Sequence, residues 1–284
     1  MKARNTVAHT AIHAVLGLGS LVFLFPLLWM ISTSLKPIEE TMRVPPQWLP
    51  SHFLWRNYYD AVMYGHKILG YIPFLEYAKN TLLLAALGVT GTVLANALVA
   101  YGFARFRFRG REALFGVTLA TMMIPFPVLM VPLFGLFRGL GWIGTFKPLW
   151  IPAWFGSAFN IFLLRQFFLT IPRDLTDAAI VDGCSELAAF RHIIVPLSKP
   201  ALAVVALFHF LYAWNDFLGP LIYLTDQKMF TLSLGLQFYQ SQHGGTEWNL
   251  LMAAATMVVL PIIVLFFFTQ RTFIQGIAIT GLKG

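Results

Sequence analysis

Cysteine is almost missing: Cys184 is the only one among 284 residues. A single thiol excludes an intramolecular disulfide and any multi-cysteine zinc site. Charge is scarce as well. Charged residues make up 11% of the chain and hydrophobic ones 58%, whereas a soluble domain carries roughly 25% charged residues. So little polar surface could not cover the core that such a chain would bury, which leaves the membrane as its solvent. Acids are the scarcest group, 12 against 20 lysines and arginines, for a net charge of +8. In a membrane chain, basic residues mark cytoplasmic loops, so lipid is the expected partner of that charge and nucleic acid is not. The catalytic signatures are missing too. The sequence has no G-x-x-x-x-G-K-[ST], no H-E-x-x-H and no G-x-S-x-G, and its seven histidines show no metal-ligand spacing. No enzymatic activity and no cofactor bound by this chain are expected.

Apolar runs are what remains. A spanning helix needs about 20 apolar residues, and six segments qualify: 12–35, 78–104, 112–137, 147–168, 198–224 and 249–270. The first follows Lys2 and Arg4 as a signal peptide would, but it is longer than a signal core and lacks a clear cleavage site, so it reads as a retained helix. The fold class is therefore an all-α integral membrane protein with six transmembrane helices in one domain. The stretch RFRFRGR (105–111) packs four arginines between spans two and three, and 165–199 carries Arg165, Arg173, Arg191 and Lys199. The loops 138–147 and 225–249 hold far fewer basic residues, which places 105–111, 165–199 and both termini in the cytoplasm. The segment 36–77 is then external. Pro45, Pro46 and Pro50 argue against a regular helix there, and Trp48, Trp55, Tyr58 and Tyr59 suit the headgroup layer.

Within the spans, Gly88, Thr92, Asn96 and Ala100 recur at every fourth residue, a stripe that lets another helix approach closely. Pro125, Pro127 and Pro132 interrupt span three, as an ordinary kink or as part of a solute path. Asn215 and Asp216, near the outer part of span five, are candidates for the translocation path, the alternative being a helix end wetted from outside.

One polar segment stands out, the loop 169–197 between spans four and five. Asp174 can cap a short helix through Ala178, Ala179 and Val181, Gly183 can end it in a left-handed turn, and Ser185 can cap a second. Periodicity leaves open whether this is a docking surface or a solvated connector. The stretch resembles the loop shared by the membrane subunits of binding-protein-dependent ABC importers, E-A-A-x-x-x-G-x9-I-x-L-P. Asp177, Ala178, Ala179, Gly183, Ile193 and Pro196 fall at the matching positions, while Asp177 stands for glutamate and Val195 for leucine. AKNTLLLA, AYGFARFRFRGR, AWNDFLGPLIYL and the ending QGIAITGLKG are similar to the maltose-type carbohydrate permeases.

The resemblance implies a permease subunit that moves a sugar or oligosaccharide across a bacterial or archaeal cytoplasmic membrane. It implies a heterodimer with a second, related permease, two cytoplasmic ATPase subunits that use the ATP, and an extracytoplasmic sugar-binding protein. The matched loop residues would form the coupling helix that docks on the ATPase, with Asp177 facing a basic residue. An external loop at 238–249 would meet the binding protein through Gln242, His243, Gly244 and Gly245. The competing readings are an importer of the same build for another solute, such as a glycerophosphodiester, and a secondary transporter. The latter calls for mid-span carboxylates and inverted repeats, which this sequence does not show.

Overall fold

The computed structural model describes the backbone of residues 2–240 and 245–281, and the side chains of residue 9, 12–240 and 245–270. Among the described residues the chain is helical throughout, with no strand. The helices are α1 (Lys2–Ser34), α2 (Ile38–Thr41), α3 (Arg56–Met63), α4 (His66–Leu69), α5 (Pro73–Arg105), α6 (Arg111–Ala120), α7 (Phe126–Gly139) and α8 (Lys147–Trp150). They continue as α9 (Ala158–Thr170), α10 (Arg173–Val181), α11 (Glu186–Ala189), α12 (Val195–Leu197), α13 (Lys199–Asn215), α14 (Leu218–Tyr223), α15 (Leu232–Gly235) and α16 (Trp248–Gly281).

Three helical stretches are long and apolar enough to cross a membrane: Ile12–Ser34, Pro73–Arg105 and Trp248–Gln270. Three further apolar pairs are bent, by 99° at 124–125, 76° at 171–172 and 79° at residue 198, so six crossings result if each pair is one span. The first bend falls where the prolines cluster. Pro125 is extended (φ −70°, ψ 140°) and Pro127 sits in the first turn of α7, where its missing N–H costs no helical hydrogen bond.

The chain forms two compact units. The first comprises Met1–Leu75 and Gly235–Pro261. Its core gathers Ala61, Tyr239, Leu251, Ala253 and Ala254, with the Tyr239 hydroxyl donating to the Ala61 carbonyl (2.8 Å). The segment after α1 is tied back to the end of that helix. Leu54 N donates to the Leu35 carbonyl (2.9 Å), and the Asn57 amide donates to the carbonyls of Ser34 and Lys36 (2.9 Å each). Short helices α2 to α4 form on either side of the proline-bearing stretch 42–55, which stays irregular.

Lys36 is fully buried. Its Nζ donates to the Gln47 carbonyl (2.6 Å) and lies 4.0 Å from the centre of the Trp29 ring. Burial lowers the Lys36 pKa, opposed by nearby Glu40. Hydrogen bonds from Ser51 hold the Glu40 carboxyl below its usual value. A buried ammonium is retained only where such partners offset its desolvation. Lys36→Met keeps the apolar stem but leaves the Gln47 carbonyl unpaired. It is expected to destabilise this unit by about 1–3 kcal/mol. The measure is a lower unfolding temperature in detergent together with faster tryptic cleavage at exposed Arg43.

The second unit comprises Glu76–Leu234 and Ile262–Gly284. Its core joins Ala97, Ala100, Tyr101 and Ala104 of α5 to Leu164 and Phe168 of α9, to Phe190 and Ile194, and to Ala201 and Val205 of α13. The four-residue stripe on α5 finds its partners here. A Cβ on Gly88 would lie 2.3 Å from His209 Nε2 on α13, so only glycine allows that approach. Thr92 Oγ1 meets His209 Nδ1 at 3.0 Å. The Asn96 carboxamide oxygen accepts from Ser157 N (2.7 Å) at the start of α9. Near the other end of α5, Asn80 donates to the carbonyls of Lys228 (2.8 Å) and Phe230 (3.0 Å), and Thr81 Oγ1 accepts from Leu232 N (2.8 Å).

Candidate functional site: the polar insert and the cavity beside α13

The insert between α9 and α13 is built by local rules. Pro172, extended, precedes the first turn of α10. Asp174 was expected to cap this helix. It lies instead inside the first turn, because the extended Pro172 lets the helix begin at Arg173, and its charge there complements the helix dipole. At the other end Gly183 is left-handed (φ +88°). Cys184 N bonds the Ala179 carbonyl (2.9 Å) and Gly183 N bonds the Ile180 carbonyl (3.0 Å), the pairing of a glycine-terminated helix. Ser185 then caps α11, its hydroxyl accepting from Ala188 N (3.2 Å). A π-helical turn, Phe190–Ile194, follows. It runs into Pro196, which offers no N–H to the carbonyl of His192.

Asp177, Ala178 and Gly183 are exposed and Ala179 half-buried, all within one short stretch of surface. Ile193 is half-buried and Pro196 exposed on the following turn. A Cβ at Gly183 would meet nothing within 4 Å. None of the salt bridges among the described residues involves Asp177. Two residues passed over in the sequence join this surface. Val181 is 86% exposed and Leu187 66% exposed, one on each side of the glycine turn. Their signal was apolar character inside an otherwise polar insert. Cys184, the single thiol, is exposed beside them.

The second feature is a cavity of about 770 Å³ in the second unit, lined in part by Phe126, Phe159, Phe208, His209, Tyr212, Asp216 and Tyr223. Asp216 Oδ1 accepts from Gly219 N (3.0 Å) at the start of α14. A Cβ at Gly219 would collide with Asp216 Oδ2 at 2.5 Å, so glycine is what lets the carboxylate sit there. Asn215 does not line the cavity, and its amide donates to the Leu211 carbonyl (2.8 Å). No lysine or arginine lines it either. Gln242, His243 and Gly244 lie outside the described residues, and Gly245 is exposed. Among the described residues no group of three or more His, Cys, Asp or Glu is placed to hold a metal ion.

Helices long and apolar enough to cross a membrane, a lined cavity and an exposed polar insert are features that a membrane transport subunit calls for. The chain belongs to the binding-protein-dependent transport system inner membrane components, whose family model matches residues 88–279. It is therefore a permease component of an ABC importer, not itself an enzyme, and resides in the inner membrane. It is 35% identical over 266 residues to the arabinooligosaccharides transport system permease protein AraQ of Bacillus subtilis, covering 93% of this chain and 92% of that one. It is 30% identical over 281 residues to the sn-glycerol-3-phosphate transport system permease protein UgpE of Brucella abortus, covering 99% of each. Its fold matches a chain of a bacterial ABC transporter involved in the import of the acidic polysaccharide alginate. There the TM-score is 0.81 at 22% identity, over 94% of this chain and 96% of that one.

Proposed function

We propose that this permease carries a sugar or oligosaccharide through six spans with both termini inside, and that residues 177–196 couple it to a cytoplasmic ATPase. The observation that carries the coupling role is the exposed surface of the insert. Asp177 is exposed beside small residues and in no salt bridge among the described residues, and Val181 and Leu187 offer apolar area that water disfavours and a protein cleft would cover. The solute class rests on the oligosaccharide relative and on the cavity lining. Aromatic rings with one carboxylate and, among the described residues, no lysine or arginine suit a neutral polyol better than a phosphate ester. The sn-glycerol-3-phosphate relative keeps a phosphate ester as the second reading. The working complex joins this chain to a second related permease, two ATPase subunits that use the ATP, and an external sugar-binding protein met by the 238–249 loop.

Cys184 supplies the test without mutagenesis. A membrane-impermeant maleimide is expected to leave it unmodified in intact cells and to modify it in inside-out vesicles, with the bound ATPase shielding it. Modification in intact cells would place the insert outside and remove the coupling role. Uptake of arabinooligosaccharides against glycerol 3-phosphate, in vesicles holding the complete complex, decides the solute class.

A further inference from the structure

The insert does not hang freely from α9 and α13: it is gripped at its entry and at its second helix by one turn of α5. At its entry, Arg105 Nη2 donates to the carbonyls of Phe168 (3.1 Å) and Ile171 (2.9 Å), the last acceptors before the 76° bend into α10. They lie at the C-terminus of α9, where the Phe168 carbonyl also accepts from Ile171 N (3.4 Å) and a guanidinium is favourable both as a donor and as a charge. Arg173, at the start of α10, reaches back to the Ala104 carbonyl (3.4 Å). At the insert's second helix, the Tyr101 hydroxyl donates to Glu186 Oε2 (2.9 Å) in the first turn of α11. The Tyr101 ring packs on Phe190, centroids 4.9 Å apart. Residues four apart on a helix share a face, so Tyr101 and Arg105 present two attachment points on the same side of α5. The small side chains Ala97, Ala100 and Ala104 bring that face close to the insert.

We infer that Tyr101 and Arg105 are positioning residues for energy coupling: they clamp the entry of the insert and its second helix to α5, so that displacement of the insert moves α5 instead of flexing the loop. This rests on the coupling role proposed above. It assigns a task to two side chains outside the insert, neither of which would touch the ATPase or the solute.

The test uses the complete complex and a spin label on Cys184. Tyr101→Phe keeps the ring packing and removes the donor. Loss of one hydrogen bond to a carboxylate corresponds to about tenfold or more of the released insert. The expected result is a more mobile label, with the ATPase still co-purifying and fewer solute molecules moved per ATP hydrolysed. Arg105→Gln should act the same way and more strongly. Glu186→Gln alone, whose amide oxygen can still accept from Tyr101, should keep the wild-type line shape and ratio. A merely structural role would lower the amount of complex and leave the ratio alone. Tyr101→Phe with wild-type label mobility and a wild-type ratio overturns the clamp. The underlying reading fails separately: if the ATPase does not shield Cys184 in the wild type, the insert is no docking site, whatever the label mobility shows.

Discussion

Gly183→Val is expected to abolish solute uptake and to reduce ATPase co-purification at least tenfold. Gly183 has φ +88°, a region that costs an L-residue about 1–2 kcal/mol, or roughly tenfold in an equilibrium. A β-branched side chain fares worse still. The space around the missing Cβ is empty, so the effect comes from the backbone and not from a clash within the chain. Valine would unwind the two hydrogen bonds that end α10 and swing Asp177 and Val181 away from Leu187. Gly183→Asn separates the causes, since asparagine tolerates the left-handed region, and it should keep most of the docking. Equal ATPase recovery with valine and with glycine would show that the turn is not what the partner reads.

If, as proposed, the facing ATPase residue is basic, Asp177→Lys should weaken ATPase binding by about a hundredfold or more at low salt, because like charges juxtaposed at an interface cost several kcal/mol. The carboxylate is exposed and in no salt bridge among the described residues. Within this chain its charge acts on Arg105, so the membrane-inserted yield is measured alongside and should match wild type. Raising the ionic strength should recover part of the binding, since an exposed pair is screened within about 10 Å at 0.1 M salt. Asp177→Glu should bind normally. Full binding and uptake by Asp177→Lys would leave the insert a connector.

What the sequence revealed was mostly local. The glycine turn and the Ser185 cap follow from residues within five positions of each other, and the proline cluster marked a break in span three. Its 99° angle did not follow, because the angle depends on what the two halves pack against. Asp174 was misplaced as a cap because composition names good capping residues without saying which residue turns out of the helix. The stripe from Gly88 to Ala100 announced a close approach, yet His209 lies 121 positions from Gly88 and could not be paired with it in advance. The same limit hid Lys36. Three residues of sequence around it read as the end of a span, and only the fold brings the Trp29 ring and the Gln47 carbonyl to it. Tyr101 and Arg105 read as aromatic and basic residues near a membrane surface, and their partners lie 63 to 85 positions away.

The uninterrupted length of α5 has a mechanical meaning. It has no proline after Pro73, whereas the paired helical segments bend by 76° to 99°. Thr81, which with Asn80 holds the 228–232 segment, and Tyr101, which holds the insert, are twenty positions apart, roughly 30 Å of helix. An α-helix loaded along its axis shortens very little, because every turn already rests on hydrogen bonds that run parallel to the load. α5 thus has the form of a pushrod: a stroke delivered at Tyr101 and Arg105 arrives at Asn80 and Thr81 with no joint along the way to absorb it.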